Sequence, residues 1–458
     1  MVARNAGDGD VPVAGGSVVR RGRRLFVAAL AVLLACVGGG CTGGSKVPAS
    51  ARGTVRLGLM ASLTGPAAAA GTQAQRGAQL AVDLVNNPSP DTRLPVRAGH
   101  GGLAHAHLDL VTVDTADDGG QAGEQAARLV GRRVAGVVEA DGPEAARASG
   151  LVLQRSGMGV VVARSAAQFL TEQGLDKLVR LGPDDRTLAQ TLFRFLAAHP
   201  QIHRLGLLVG GDVESVGLQR LVSELADEAG YPVTTVAEVD NGNADGPARQ
   251  AVNSNPDAVI ALAGQGTDAT AMLDGLATAE HDGGGHGTVP VLTAGTGFTD
   301  PGAPGDPAQA VGGLTVLRVT PYSADLATRG KLGSTVNTLF QHRYGTGMDP
   351  TAALAFTATL TLAAAVDRAG SAGAGPVAAS LADVTLAGQD LIVPWPAVKF
   401  GGDGQNTGAA AVIEQLTSAG AAVVFPAEVA HTPLTLPAGT GGGPGAGADP
   451  THDRKAGS

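Results

Sequence analysis

From Thr54 onward, short β-prone runs alternate with helical ones, and this constrains the fold more than any other feature of the chain. The β runs are Val55 to Met60, Leu108 to Thr112, Val134 to Val138 and Gly159 to Ala163, separated by helical stretches at Thr72 to Asn86, Gly120 to Leu129 and Glu144 to Gln154. Strands that each need a helical return predict a parallel sheet covered on both faces. In the first helix Ala74, Ala78, Ala81, Val82 and Val85 share one stripe, small enough to pack closely on a sheet.

A second series begins near Asp184-Asp185, whose carboxylates suit the start of a helix. Its β runs are Leu205 to Val209, Val233 to Val239, Ala258 to Leu262 and Val289 to Thr293, interleaved with helical segments, and Gly313 to Val319 adds a further strand. This predicts a second doubly wound lobe. Asp349-Pro350 reads as the N-cap and first turn of a long Ala/Leu helix closed by Gly370. Its apolar run, Ala352 to Val366, suits a buried core helix better than a membrane span.

The ends of the chain differ from this body. Arg20, Arg21, Arg23 and Arg24 precede the apolar run Leu25 to Val37, the pattern of a signal peptide over residues 1–41; Arg23-Arg24 leaves Sec and twin-arginine export both open. The two cysteines, Cys36 and Cys41, both lie at the end of that run and resemble lipidation sites, Cys41 with Cys36 as its rival. Residues 42–52 read as a flexible tether, and the Gly/Pro/Ala-rich residues 429–458 as a disordered tail. Residues 1–41 hold five Arg and two Asp, leaving 27 Lys+Arg against 39 Asp+Glu, a net charge of −12 that disfavours nucleic acid as a partner.

The segment Val55-Arg56-Leu57-Gly58-Leu59-Met60-Ala61-Ser62-Leu63-Thr64-Gly65-Pro66, followed by Gly71 and the Gly77-Ala78 helix, resembles the opening of periplasmic solute-binding proteins of the branched-chain amino-acid type (type 1). Lys399-Phe400-Gly401-Gly402-Asp403-Gly404-Gln405-Asn406, with Val412 to Gln415 and Val423 to Pro426, is similar to that family's last hairpin. The resemblance implies an α/β clam-shell: two doubly wound parallel-sheet lobes joined by three crossovers, near Arg180 to Pro183, Val319 to Ser323 and Pro394 to Val398. It divides the chain into an N-terminal lobe of residues 53–181 and 320–395 and a C-terminal lobe of residues 182–319 and 396–428. It also implies a monomeric, non-enzymatic protein at the extracytoplasmic face of the cell membrane. Such a protein holds a small polar solute, amino-acid-like or carboxylate, and docks on an ABC permease with its ATPase. The alternative is a sensing or interaction lipoprotein whose solute site has degenerated.

Loops after parallel strands end at helix N-termini, so solute contacts are expected there. The candidates are Thr64, Asp141, Arg164, Ser165, Glu214, Gln265, Thr267 and Thr296. Arg164 could hold an acid group bidentately, but a solvated loop position and a lobe-to-lobe ion pair are its alternatives. Glu214 could meet an amine or simply favour a helix start, and Thr64 could bond its own turn. The hydroxyl, aromatic and acidic residues that amino-acid-binding relatives place near Pro143, Ala166, Ala70, Glu214 and Gly295 are not found here. His100, His105 and His107 lie in a Gly/Ala-rich loop and His281 and His286 flank glycines, so exposed loops are favoured over metal sites. Trp395 is expected to pack at a crossover. No nucleophile elbow, phosphate-binding glycine loop or metalloprotease helix is present in the sequence, and no cofactor is implied.

Overall fold

The computed structural model describes residues 53–88, 90–99, 102–103, 106–239, 242–282, 289–300, 313–417, 420–438 and 440. The expected leader, Cys36 and Cys41, the tether, His100, His105, His286 and residues 441–458 lie outside these.

The first sheet contains β1 (Thr54–Ala61), β2 (His107–Asp114), β3 (Val137–Glu139), β4 (Val160–Val162) and β5 (Leu178–Arg180) in the order β2-β1-β3-β4-β5. All four pairings are parallel, from Thr54 opposite His107 to Ala61 opposite Asp114 along the longest of them. Between these strands run α1 (Ala68–Asn86), α2 (Gly119–Gly131) and α3 (Pro143–Arg155).

The second sheet begins after α4 (Asp185–Ala198), whose N-cap Asp184 accepts a hydrogen bond from the Thr187 amide. It contains β6 (Leu205–Gly210), β7 (Val233–Val239), β8 (Ala258–Leu262), β9 (Val291–Ala294) and β10 (Val316–Thr320). The helices α5 (Val213–Ala229), α6 (Asp245–Asn253) and α7 (Gly266–Asp282) connect them. The chain then returns to the first sheet with α8 (Lys331–Tyr344), α9 (Pro350–Ala369) and α10 (Ala374–Leu381), and with the short antiparallel pair β11 (Thr385–Ala387) and β12 (Ala397–Lys399). A hairpin of β13 (Val412–Thr417) and β14 (Gly420–Phe425) completes the second sheet, in the order β14-β13-β10-β9-β8-β6-β7. β13 is antiparallel to both β10 and β14; the other pairings are parallel.

Each sheet is buried on both faces. One face of the first carries α1, α8 and α9, the other α2 and α3; the second sheet has α4 and α5 on one face and α6 and α7 on the other. The predicted stripe Ala74, Ala78, Ala81, Val82 and Val85 is buried against this core. With so few aromatics the core relies on close approach. A Cβ on Gly77 would lie 2.1 Å from the Ala352 carbonyl oxygen, so α1 and α9 touch backbone to backbone. Helix α9 is the buried core helix its composition suggests, capped by Asp349, started by Pro350 and closed by left-handed Gly370.

The chain passes between the sheets three times. The first passage follows β5 and the second follows β10, where Tyr322 already joins the core around the first sheet. The third lies later than 394–398, because Trp395, Val398 and Phe400 are all buried around the first sheet and Ala411 is the first residue buried in the second. The buried Asn406 side chain fastens this passage to the first: its Oδ1 accepts from the Lys399 and Gly408 amides and its Nδ2 donates to the Leu181 carbonyl. Trp395 Nε1 donates to the Pro321 carbonyl of the second passage at 3.0 Å.

The expectation of disorder from residue 429 is corrected for the described part of the tail. Leu434 and Leu436 pack on the core between α4, α5 and the second sheet, and Gln415 exchanges two hydrogen bonds with the backbone of Thr435. Alternating leucines bury apolar surface despite the surrounding Pro and Gly.

Candidate functional site

Loops at the carboxyl ends of strands in both sheets converge on one cavity of about 530 Å³. From the first lobe come Pro66, Ala67, Ala69 and Ala70 after β1, Ala116, Asp117 and Asp118 after β2, and Arg164 after β4. The second lobe supplies Gly264, Gln265, Gly266, Thr267 and Thr270 after β8, and Asp300 after β9. Its size lies within the roughly 300–1,000 Å³ typical of small-molecule sites. Behind it, toward the passages, a space of about 30 Å³ has room for water but not for a solute.

Arg164 separates the two spaces. Its guanidinium reaches across to Asp300 in a bidentate pair, Nε to Oδ1 at 3.2 Å and Nη2 to Oδ2 at 2.5 Å, with both side chains nearly buried. Burial works against the Arg164 charge, but the Asp300 carboxylate outweighs it and holds the guanidinium above its ordinary pKa. Nη2 also contacts Thr296 Oγ1 at 3.4 Å. Thr296 in turn donates its amide to Glu214 Oε1 at 2.7 Å, and its hydroxyl lies 2.8 Å from Glu214 Oε2 and 3.0 Å from the Gly264 carbonyl. The turn that presents Thr296 depends on Gly295, with φ of 112° and a virtual Cβ 2.2 Å from the Ala263 carbonyl oxygen. Glu214, in the first turn of α5, is buried, which pushes its pKa up to about 7 despite the nearby Arg164.

The remaining candidates are distributed unevenly. Gln265 and Thr267 line the cavity. Thr64 does not: its hydroxyl donates to Asp114 Oδ2 at 2.7 Å, tying the loop after β1 to the end of β2 and not closing its own turn. Asp141 is buried, accepting from Ser62 Oγ at 2.7 Å, while its amide donates to Glu139 at 3.2 Å. Burial first, and for Glu139 the neighbouring Asp141 charge second, raise the pKa of both carboxyls. Ser165 is buried, with its Oγ 3.4 Å from the Ala167 amide, and does not line the cavity. Arg164 therefore faces the cavity as one half of a lobe-to-lobe ion pair, with its Nε and Nη2 already engaged.

Sequence reasoning missed Asp117, Asp118 and Asp300. The rule that placed Thr64 and Asp141 after their strands applies equally to the loop after β2. Asp118 also carries an N-cap signal, since it accepts from the Gln121 amide at the start of α2. Nothing local marks Asp300, whose partner is 136 residues away. Among the described residues, no group of three His, Cys, Asp or Glu side chains converges as a metal site.

A family model for periplasmic binding proteins matches residues 54–421. A Leu/Ile/Val-binding protein of Rhizobium johnstonii is 32% identical over 137 residues, a match that spans 30% of this chain and only about a third (34%) of that relative. Among solved structures, a leucine-binding protein of Thermotoga maritima superposes with a TM-score of 0.66 at 18% identity, covering 81% of this chain and 97% of its own. A branched-chain amino-acid substrate-binding protein of Streptococcus pneumoniae in complex with isoleucine gives 0.65 at 18%, covering 81% and 100%. A solute-binding protein of R. palustris in complex with benzoate gives 0.64 at 15%, covering 84% and 99%. These likenesses establish a shared two-lobed fold, and the family match runs from the first residue of β1 into the final hairpin. The chain belongs to the periplasmic binding protein family, whose members act outside the cytoplasm.

Proposed function

We propose that this protein is an extracytoplasmic substrate-binding lipoprotein that captures a small polar solute between its lobes and delivers it to an ABC permease driven by an ATPase. The observation that carries this is the interlobe cavity, walled by the strand-end loops of both sheets and large enough for a molecule of amino-acid size. Closure of two lobes on a solute excludes water and strengthens every polar contact made there. The proteins it resembles hold isoleucine and benzoate in their structures, which supports a small organic solute as the class. Lipid anchoring through Cys41, or through Cys36, would keep the protein beside its permease.

A second function is favoured by one feature of the same site. Arg164, Glu214 and Thr296 satisfy one another and Asp300 instead of standing open, as a sensing or interaction protein that had lost its solute would allow. A thermal-shift screen of the purified protein separates the two. A solute at about 100 times its dissociation constant adds roughly 2.7 kcal/mol of stability. If a broad panel of amino acids, amines, amides and carboxylates leaves the transition unmoved, the transport assignment fails and the sensing one gains.

A further inference from the structure

From the charges on the cavity wall we infer that the solute carries net positive charge, an amine or quaternary ammonium on a small aliphatic body; this rests on the interlobe cavity being the solute site. Among the described residues the wall carries three carboxylates, Asp117, Asp118 and Asp300, against a single cation, Arg164. That cation is already taken, since its Nε and Nη2 both bond Asp300. A solute carboxylate entering here would find only Nη1 of Arg164 without a bond and would meet Asp117, Asp118 and Asp300 as well. Glu214, close behind Thr296, adds to the same field.

Asp117 and Asp118 are held differently from Asp300. Asp117 Oδ1 accepts from the Gly142 amide at 2.8 Å, at the start of α3, and Asp118 Oδ1 accepts from the Gln121 amide at 2.7 Å, in the first turn of α2. Among the described residues neither Oδ2 receives a hydrogen bond, and both side chains are exposed. The two carboxylates are thus anchored by one oxygen on helix N-termini, with the other free of protein partners at the cavity wall. Ala116 and Asp117 both adopt left-handed backbone, φ 51° and 55°, an uncommon conformation that turns this loop at the cavity wall. Pro66, Ala67, Ala69 and Ala70 offer a small apolar surface beside the acidic pair, while Gln265, Thr267 and Thr270 on the opposite lobe supply polar groups. This arrangement suits a cationic head against the first lobe with an aliphatic body lying along β1's loop.

The test is calorimetric titration of the purified protein at low ionic strength with 1,4-diaminobutane, choline, leucine and succinate, supported by thermal shift. At least one of the two amines should bind, more tightly than leucine or succinate, and weaken as salt is raised. The Asp117→Asn/Asp118→Asn double variant should lose at least ten-fold in affinity for that amine. Asn both caps helices and tolerates left-handed backbone, so the unliganded Tm should stay near that of the parent and report that the fold is intact. Tighter binding of leucine or succinate than of either amine, or an amine affinity indifferent to the double substitution, overturns the charge inference while leaving the cavity as a solute site. Silence from all four probes and from the broader panel removes the inference together with the solute-binding assignment.

Discussion

The two lobes bury carboxyl groups near the cleft by opposite means. In the N-terminal lobe, Glu139 and Asp141 lie together with Ser62 and Thr115, and no Lys or Arg pairs with them among the described residues. Burial raises the pKa of both, and the groups they bond all lie within one lobe. The C-terminal lobe buries Glu214 with help from outside: Thr296 comes from its own lobe, but the guanidinium that faces both comes from the other. One wall is therefore indifferent to the position of the opposite lobe and the other depends on it. A clam-shell needs both kinds of wall, one that stays built as the lobes part and one that registers their approach.

Removing the shared cation should have the largest effect. Arg164→Ala leaves Asp300 and Glu214 without their countercharge in a nearly buried setting, and should cost about 3–5 kcal/mol in urea unfolding. Replacing both partners at once, Arg164→Met with Asp300→Leu, should recover much of that loss, because Asp300 no longer stands uncompensated and only Glu214 is left without its countercharge. If the double variant is as unstable as the single one, the pair is not what holds Arg164 in place.

Glu214→Gln should have a middling effect, roughly 1–2 kcal/mol, since one of the two Thr296 hydrogen bonds is lost and Arg164 keeps only Asp300. Glu139→Gln should be smallest, within about 1 kcal/mol at neutral pH, because an amide preserves the shape of the carboxyl and removes a charge that burial disfavours. Equal costs for the two substitutions would erase the distinction between the walls.

The pH dependence follows from the same groups. Glu214 and Asp349 have folded pKa values raised by burial to about 7, above an unfolded carboxyl near 4. The folded state then binds more protons than the unfolded one across this window. Their stabilising contribution is complete below about pH 4 and is lost as pH rises through about 7. Urea unfolding midpoints at pH 5, 6 and 7.5 should fall in that order, and Glu214→Gln should flatten the fall.

Periodicity alone was enough to locate the doubly wound sheets, because alternation of strands and helices is a local property: the Ala74 to Val85 stripe and the Asp349-Pro350 start of α9 both lie where propensity and capping put them. The third passage was less legible. Pro394 and Pro396 look like a boundary, yet Trp395 and Val398 gain more by burial around the first sheet than a passage there would allow. Leu434 and Leu436 were hidden in a composition that suits disorder, and only the alternation of the two leucines hinted otherwise. At the site, Gln265 and Thr267 follow from the rule that loops after parallel strands face the cleft. That rule does not say which loop residues point inward, and so Thr64 and Asp141 turned out to serve their own lobe. The Arg164–Asp300 pair requires knowing how the lobes meet, which no local signal carries.

The central claim is that a solute sits between the lobes, and filling that space tests it most directly. Thr270 lines the cavity from an exposed position on α7, so Thr270→Trp should occupy the space without disturbing the core. For any solute that raises the Tm of the parent protein, the variant should show a shift reduced to near zero while its unliganded Tm is kept. An undiminished shift in the variant would place the solute elsewhere and contradict the assignment.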